Sequence, residues 1–477
     1  MGWTLWSALV QVLLSLLSPA PVQQAVKLNH IQVLHAHNSY HTCPYQCMED
    51  LFRSAIGLPF AKALDTDNLL YGFPPITDLL TLHGVRSIEI DIVYDPDGGR
   101  YMRRAGPKLA LMSRASPNTT GLVGPEELLT PGWKVMHLPD FEFQSSCPTL
   151  TACLAEIRAW SEGHPQHDPV FVRLEFKEFK PAELIAPGLL QLEQELEEGL
   201  GRSRIFSPDN FRKGYASLKE RVVAEGFPDL TETRGKVLVL GLGSSNYRRL
   251  LELLRPGGKG GLVYWEPYIT QSAAARDGGR LALGPDEVFA SCDPGVLPRL
   301  ATSGSQTATT SSEGSNSTTA ILQATEDAPR VALTPARAAQ YQELISRLVT
   351  RNTIILRATV DEASAAQMPW GSGGAAARGG AHALHTDYPN GWHSSCAPSA
   401  TTSSPYTLWL QQLRAGRDGG DGSSGAVPVP PRPPVMMSSV CNPVTADSAC
   451  TSYPPALGRP PADCTCYNEA SKPIASS

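Results

Sequence analysis

The chain has 477 residues, of which 42% are hydrophobic and 18% are charged, and its formal net charge is −6. This length suffices for one large core or for two ordinary ones, so it does not fix the number of domains. The mild negative charge lacks the basic footprint of nucleic-acid-binding proteins, and we expect no nucleic-acid partner.

The N-terminus carries an apolar run, from about residue 5 to residue 17, that is followed by Pro19 and Ala20. The run is too short to span a bilayer comfortably, which favours a cleaved secretory signal over residues 1–25 rather than a membrane anchor or an ordinary apolar helix. No other segment approaches 18 apolar residues. We therefore predict a secreted protein with no transmembrane helix.

Ten cysteines follow this segment, and an even number of cysteines in a secreted chain predicts disulfides. The pairs that lie close in sequence are the candidates for local bridges: Cys43 with Cys47, Cys147 with Cys153, and Cys441 with Cys450. Asn118 and Asn316 begin N-glycosylation sequons that the same compartment could modify, which predicts a glycoprotein.

Short apolar segments of strand character alternate with helical segments. The strand segments are 31–37, 87–94, 134–138, 169–177, 236–242, 261–265, 353–360 and 382–388, and the helical ones are 149–161, 181–200, 215–225 and 334–350. Nearly continuous apolar strands that alternate with helices predict a parallel sheet covered by helices. Eight strands favour an α/β fold of the (β/α)8-barrel type, with a doubly wound sheet as the alternative.

Several stretches have the composition of loops and linkers rather than of a packed core. We assign residues 26–395 to the barrel, with a Ser/Thr-rich insertion at 302–319 and a Gly/Ala-rich insertion at 370–380. A Pro/Gly-rich linker over 396–440 and a Cys-containing C-terminal extension over 441–477 complete the predicted organisation.

Polar side chains stand near the ends of four predicted strands. They are His37 with Asn38, Glu89 with Asp91, His137, and Glu175 with Lys177. Residues two apart in a strand point to the same face, so Glu89 and Asp91 lie side by side. Two adjacent buried carboxylates cost several kcal/mol unless a cation or strong donors offset their repulsion. Arg86 has the opposite parity, which favours a bound cation over a structural ion pair.

The amide and carboxylate side chains of this set offer only oxygen ligands, which suit a hard cation, Ca²⁺ rather than Zn²⁺, with Mg²⁺ as the alternative. The predicted metal ligands are Asn38, Glu89, Asp91 and Glu175. His37 and His137 remain for proton transfer or for hydrogen bonding to a phosphoryl oxygen, and Lys177 can face developing negative charge.

Four motifs together resemble the secreted, calcium-dependent phosphoinositide phospholipase C-like proteins. They are HNSYH at 37–41, GVRSIEIDIVYDPDG at 84–98, KVMH at 134–137 and FVRLEFK at 171–177. The resemblance is dense over residues 28–250 and looser over 320–450. It implies a distorted TIM-type barrel that cleaves a phosphodiester between an alcohol and an inositol phosphate at a membrane surface.

The resemblance also implies roles for individual residues. The neighbouring inositol hydroxyl attacks phosphorus, and Ca²⁺ on the four oxygen ligands lowers the pKa of that hydroxyl. His37 hydrogen-bonds the phosphoryl oxygen or takes the proton, and His137 protonates the departing alcohol. Arg357 and Asp387, on later strands, are candidates for substrate contact, with structural ion pairs as the alternative.

Two other functions stay open at this point. A glycerophosphodiester or sphingomyelin-type phosphodiesterase would use the same barrel, although Asn38 stands where the former enzymes have arginine. A non-catalytic secreted protein that binds inositol phosphates or glycans is the other alternative, and it would have no need for both histidines. We expect a monomer.

Overall fold

The computed structural model describes residues 25–55, 71–139, 141, 143–177, 186–242, 248, 252, 260–275, 279–292, 335–359, 375–376, 379–386, 439–442 and 444–445. Nearly all of the predicted signal segment and linker, the whole Ser/Thr-rich insertion, and most of the C-terminal extension lie outside these residues. The site predicted at the strand ends lies within them, apart from Asp387.

Ten strands form one sheet in the described part of the chain. They are β1 (Ile31–Ala36), β2 (Ser87–Asp95), β3 (Gly132–Val135), β4 (Val170–Phe176), β5 (Val237–Leu242), β6 (Val263–Trp265), β7 (Phe289–Cys292), β8 (Ile355–Thr359), β9 (Ala383–Thr386) and β10 (Ser439–Cys441). Eight of them pair in parallel, in the order β6-β5-β4-β2-β1-β9-β8-β7. A bridge between Tyr268, just after β6, and Ser291 of β7 brings the ends together, so the sheet is a nearly closed barrel.

The predicted α/β barrel with eight parallel strands is confirmed, but one predicted strand is not part of the ring. The segment predicted at 134–138 forms β3, which runs antiparallel to β2 and pairs with the part of β2 from Ile92 to Asp95. The eighth parallel strand is β7, a four-residue strand that is not among the predicted segments. A second antiparallel strand, β10, pairs with β1 and spans the expected boundary between linker and extension.

Helices connect and cover the parallel strands. They are α1 (Gln46–Ala55), α2 (Ile76–Leu82), α3 (Ala105–Met112), α4 (Leu150–Gly163), α5 (Ala186–Leu200), α6 (Pro208–Arg212), α7 (Leu218–Glu225), α8 (Leu230–Thr233), α9 (Gln271–Ala275) and α10 (Pro335–Arg351). Short 3-10 helices lie at Leu28–His30, Glu126–Leu129 and Arg202–Arg204. Among the helices that the structure describes, none has the length and apolar character needed to cross a bilayer.

Side-chain alternation divides each barrel strand between two environments. On β2, Ile88, Ile90 and Ile92 point outward into the main core under the helices. Residues of the opposite parity point into the barrel, where one end is filled by apolar side chains such as Val33, Phe171 and Phe289. Towards the C-terminal ends of the strands the interior becomes polar. The barrel therefore has an apolar floor beneath a polar mouth.

The cysteines confirm one predicted bridge and correct another. Cys147 and Cys153 form a disulfide. Cys43 is disulfide-bonded, but Cys47 is a free buried thiol, so the predicted pairing of these two residues is wrong. The reason is local: Cys47 lies in α1, and its thiol donates to the carbonyl oxygen of Thr120 at 3.2 Å. The predicted bridge of Cys441 with Cys450 extends outside the described residues.

A buried carboxyl group on the barrel exterior gives a pH-dependent prediction. Glu195 of α5 accepts a hydrogen bond from Trp133 N at 3.2 Å, and burial raises the pKa of its carboxyl to about 7. Folding then favours the protonated carboxyl, so its contribution to stability falls as pH rises from 4.5 through about 7. We expect Glu195→Gln to raise the Tm by a few degrees at about pH 8 and to leave it unchanged at about pH 5.

Calorimetry at the two pH values checks this, with Glu198→Gln on the exposed side of α5 as the control that shows no pH-dependent difference. A lower Tm for Glu195→Gln at about pH 8 would contradict the prediction. It would mean that attraction to Lys134, whose own pKa burial lowers, outweighs the burial of the charge.

Candidate active site

Three parallel strands and one antiparallel strand deliver the polar side chains of the barrel mouth. His35 lies on β1, and His37 and Asn38 follow directly after it. Asp91 of β2 and Glu175 of β4 are direct neighbours in the sheet register. His137 follows β3, and the amide of the preceding residue, Met136, donates to the carbonyl oxygen of Asp91 at 3.3 Å. Neighbouring strands thus bring the predicted residues to one place.

The carboxylates of β2 and β4 form a tight cluster. One oxygen from each of Glu89, Asp91 and Glu175 lies within 4.8 Å of the others. Glu89 and Asp91 are fully buried. Lys177 Nζ lies 3.2 Å from Asp91 Oδ2 and 3.1 Å from Glu175 Oε1. Burial raises the pKa of Asp91 to about 7 in spite of the opposing charge of Lys177.

Asn38 is held beside these carboxylates by its chain neighbour. Ser39 N donates to the carbonyl oxygen of Glu89 at 2.9 Å, and Glu89 N donates to Ser39 Oγ at 3.2 Å. Asn38 itself is buried and adopts the left-handed backbone region with φ of 43°, which asparagine tolerates better than most residues. Its Nδ2 donates to the hydroxyl of Tyr71 at 2.8 Å.

Each of three residues of this set has a buried oxygen atom that accepts no hydrogen bond from the part of the chain that the structure describes. These atoms are Asn38 Oδ1, Glu89 Oε1 and Asp91 Oδ1. Such acceptors are costly unless they bind something. Because Ca–O contacts are about 2.3–2.6 Å, two ligands of one ion lie no more than about 5 Å apart, and the carboxylates meet that limit. The residues therefore fit Ca²⁺.

Both predicted catalytic histidines border the cluster. His37 Nε2 lies 3.6 Å from Glu89 Oε1, and its ring centroid lies 4.8 Å from that of His385. His137 is buried and close enough to Asp91 that a protonated imidazole there would lower the pKa of that carboxyl. The two imidazoles thus stand next to different carboxylates of the same cluster.

A second polar layer lies beneath the mouth and connects opposite sides of the barrel. Its members are His35, Ser87, Arg173, Glu266, Ser291, Arg357 and His385, all of them buried. Arg173 Nε donates to Glu266 Oε2 at 2.7 Å, and Arg357 Nη1 donates to Glu89 Oε2 at 3.3 Å. Two guanidinium groups therefore balance Glu266 and Glu89, which makes the layer electrically neutral in its charged members.

Glu89 belongs to both layers. Its Oε2 contacts His35 Nε2 at 3.0 Å and Arg357, while its Oε1 faces the mouth beside His37. His35, Glu89 and His385 also bring ligand atoms within 4.8 Å of one another. The Arg357 guanidinium hydrogen-bonds both Glu89 and His385, which disfavours a second cation there.

The structure describes two of the three residues predicted to contact substrate, and their surroundings differ. Lys177 lies at the cluster with its side chain only 13% exposed. Arg357 is 2% exposed and pairs with Glu89, which fits the structural ion pair named as its alternative role. Asp387 lies outside the described residues. His385, which sequence reasoning missed, is the β9 residue paired in register with His35. Its place two residues before Asp387 in an apolar strand was the available signal.

One protein-family model matches the N-terminal half of the described chain. Residues 26–249 match the family model described as phosphoinositide phospholipase C, Ca²⁺-dependent. No match is found among curated protein sequences.

Solved structures with a similar chain path include two calcium-dependent phospholipases C. The apo phosphoinositol-specific enzyme from Pseudomonas sp. is 14% identical, with a TM-score of 0.42 over 80% of this chain and 95% of its own. The phosphatidylinositol-specific enzyme from Streptomyces antibioticus is 15% identical, with a TM-score of 0.39 over 76% of this chain and 96% of its own. A glycerophosphodiester phosphodiesterase from Parabacteroides distasonis is 10% identical, with a TM-score of 0.32 over 80% of this chain and 98% of its own.

The cluster predicts that calcium stabilises the fold through Asp91. A ligand at about 100 times its Kd stabilises a protein by about 2.7 kcal/mol, so saturating Ca²⁺ should raise the wild-type Tm by several degrees. Asp91→Asn removes one charge and one ligand, and we expect most of that rise to be lost in differential scanning fluorimetry. Glu127→Gln, at an exposed carboxylate on the 3-10 helix Glu126–Leu129, is the matched control and should keep the full rise. An undiminished rise in Asp91→Asn would exclude this site.

Proposed function

We propose that the chain is a member of the calcium-dependent phosphoinositide phospholipase C family, whose model matches residues 26–249, and that it cleaves phosphatidylinositol-type lipids or related inositol phosphodiesters. The observation that carries the proposal is the convergence of Glu89, Asp91 and Glu175 within 4.8 Å, with a histidine on each side. A binding protein needs charge to hold a phosphate, but it has no use for two imidazoles placed to move protons.

Asn38, Glu89, Asp91 and Glu175 would hold the calcium ion. When bound, Ca²⁺ supplies Lewis acidity that lowers the pKa of the attacking inositol hydroxyl and offsets charge on the phosphoryl oxygens. His37, beside Glu89, hydrogen-bonds the phosphoryl oxygen or takes the proton of the attacking hydroxyl. His137, beside Asp91, protonates the departing alcohol. Each histidine thus has one role, in proton transfer or in hydrogen bonding to the phosphoryl group.

Lys177 and the buried layer complete the mechanism. Lys177 lies between Asp91 and Glu175, where its ammonium group faces negative charge that develops on the substrate. Arg357 and His35 bind Glu89 Oε2 from below and fix the carboxylate that borders His37. The geometry of the mouth thus depends on groups that do not touch the substrate.

We also propose that the protein is secreted and works at a lipid surface. The Cys147–Cys153 disulfide supports an oxidising compartment. The connection from β2 to β3 leaves the C-terminal end of β2, at the barrel mouth, and residues 98–124 in it contain no acidic residue. Its helix α3 exposes Lys108, Leu109, Leu111 and Met112. Exposed apolar side chains among cations are typical of surfaces that adsorb to anionic lipids.

Loss of either histidine should remove activity without removing the metal. His37→Ala and His137→Ala are each expected to lower kcat on phosphatidylinositol by about 10²–10⁴-fold, because each removes one general acid–base group. Turnover with calcium or with a chelator and identification of inositol cyclic phosphate check the reaction, and calcium titration checks that the metal site persists. Activity that needs no calcium and survives His37→Ala would refute the proposal.

The lipid-surface proposal predicts a substrate-dependent defect. Met112 is 71% exposed on α3, so Met112→Asp should fold normally but lower turnover on anionic vesicles by about tenfold. Turnover of a short-chain, monomeric substrate should not change. The matched control is Val223→Asp on α7, which lies at the opposite end of the barrel, where Gly226 approaches Lys27 before β1. Equal defects on both substrates, or the same vesicle defect in the control, would contradict it.

A further inference from the structure

The amide of Asn38 has two chemically different ends, and only one of them can bind a cation. Oδ1 offers lone pairs to a cation, whereas Nδ2 presents hydrogens that repel one. A rotation of the terminal amide by half a turn would exchange the two ends at almost no change in shape. Something must therefore fix the amide orientation if Asn38 is to serve as a ligand.

Tyr71 is the side chain that the structure sets against the Nδ2 end. Its hydroxyl oxygen accepts a hydrogen bond from Asn38 Nδ2 at 2.8 Å, and Asn38 Oδ1, at the other end of the amide, accepts none from the described residues. Asn38 is buried and next to Ser39, whose amide binds the backbone of Glu89. The bond to Tyr71 thus leaves Oδ1 as the end available to a cation.

Tyr71 is itself held in place by several independent contacts. Its ring stacks on the His41 imidazole with centroids 4.1 Å apart, and His41 Nδ1 donates to the Tyr71 carbonyl oxygen at 3.1 Å. Phe73 N donates to the His41 carbonyl oxygen at 2.8 Å. A Cβ at Gly72 would lie 2.3 Å from the Cys43 amide nitrogen, so only glycine allows this approach. The segment 71–73 is therefore fixed against the turn that carries Asn38.

We propose that Tyr71 is a positioning residue for the metal site, because its hydroxyl oxygen holds the Asn38 amide with Oδ1 directed to the cation. This inference rests on the proposed calcium site and adds a residue outside the ligand set. In this role Tyr71 acts through Asn38, whose Nδ2 donates to its hydroxyl oxygen.

The test measures calcium affinity by isothermal titration calorimetry on the metal-stripped full chain. Tyr71→Phe keeps the ring and its stacking on His41 but loses the hydroxyl oxygen. Partners in the shell behind metal ligands typically alter affinity by about 10–100-fold, and we expect a loss of about tenfold for Tyr71→Phe. The unfolding temperature without calcium should stay near the wild-type value.

Asn38→Asp separates positioning from a general packing role. Aspartate also tolerates the left-handed region, and both ends of its carboxylate are oxygen, so its orientation needs no partner. We expect Tyr71→Phe to change calcium affinity by less than about twofold in the Asn38→Asp background. The matched control is Tyr94→Phe, which removes a hydroxyl that donates to Gln191 Oε1 at 3.0 Å, on the outer face of β2, and should leave affinity unchanged.

Two results would overturn the inference: wild-type affinity in Tyr71→Phe, or an undiminished loss in the Asn38→Asp background. A wild-type protein that binds no calcium would overturn it together with the proposed function. A wild-type protein that binds calcium but cleaves no phosphodiester would refute only the proposed function, because the role of Tyr71 is read from binding alone.

Discussion

The repulsion between buried carboxylates at the mouth of the barrel is the constraint on which the site depends. Asp91 and Glu89 are fully buried on one strand, and Glu175 stands beside Asp91 on the next. Lys177 and Arg357 supply two nearby positive charges. Burial raises the pKa of Asp91, and three carboxylates against two cationic side chains leave a charge imbalance. A divalent cation resolves it, and the same charge that stabilises the carboxylates can then act on a phosphodiester.

The polar layer beneath the mouth fixes side-chain positions through arginine–glutamate ion pairs. Arg173 and Arg357 pair with Glu266 and Glu89 deep in the barrel, where hydrogen-bonded ion pairs hold side chains from non-adjacent strands in fixed positions. Such pairs add little net stability, and their value here is geometric. Glu89 Oε2 contacts groups of this layer, and Glu89 Oε1 faces the mouth. The buried polar layer thus determines how Glu89 is presented to the mouth.

Much of the site could be predicted because strand alternation is a local property. Glu89 with Asp91, and Glu175 with Lys177, share faces for reasons contained in a few residues of sequence. The direction of β3 could not be predicted in this way, since alternation is the same in parallel and antiparallel strands. Cys43 and Cys47 have the spacing of a local bridge, but the start of α1 directs Cys47 elsewhere. The partners of Arg357 and His385 depend on closure of the barrel, which brings β8 and β9 round to β1 and β2.

The central claim is that one calcium ion binds between β1, β2 and β4. Anomalous diffraction from crystals grown with calcium tests it most directly. We expect one strong peak about 2.3–2.6 Å from oxygen atoms of Asn38, Glu89, Asp91 and Glu175. A calcium-dependent enzyme whose anomalous peak lies elsewhere, with these four side chains bound only to Lys177 or water, would contradict the claim.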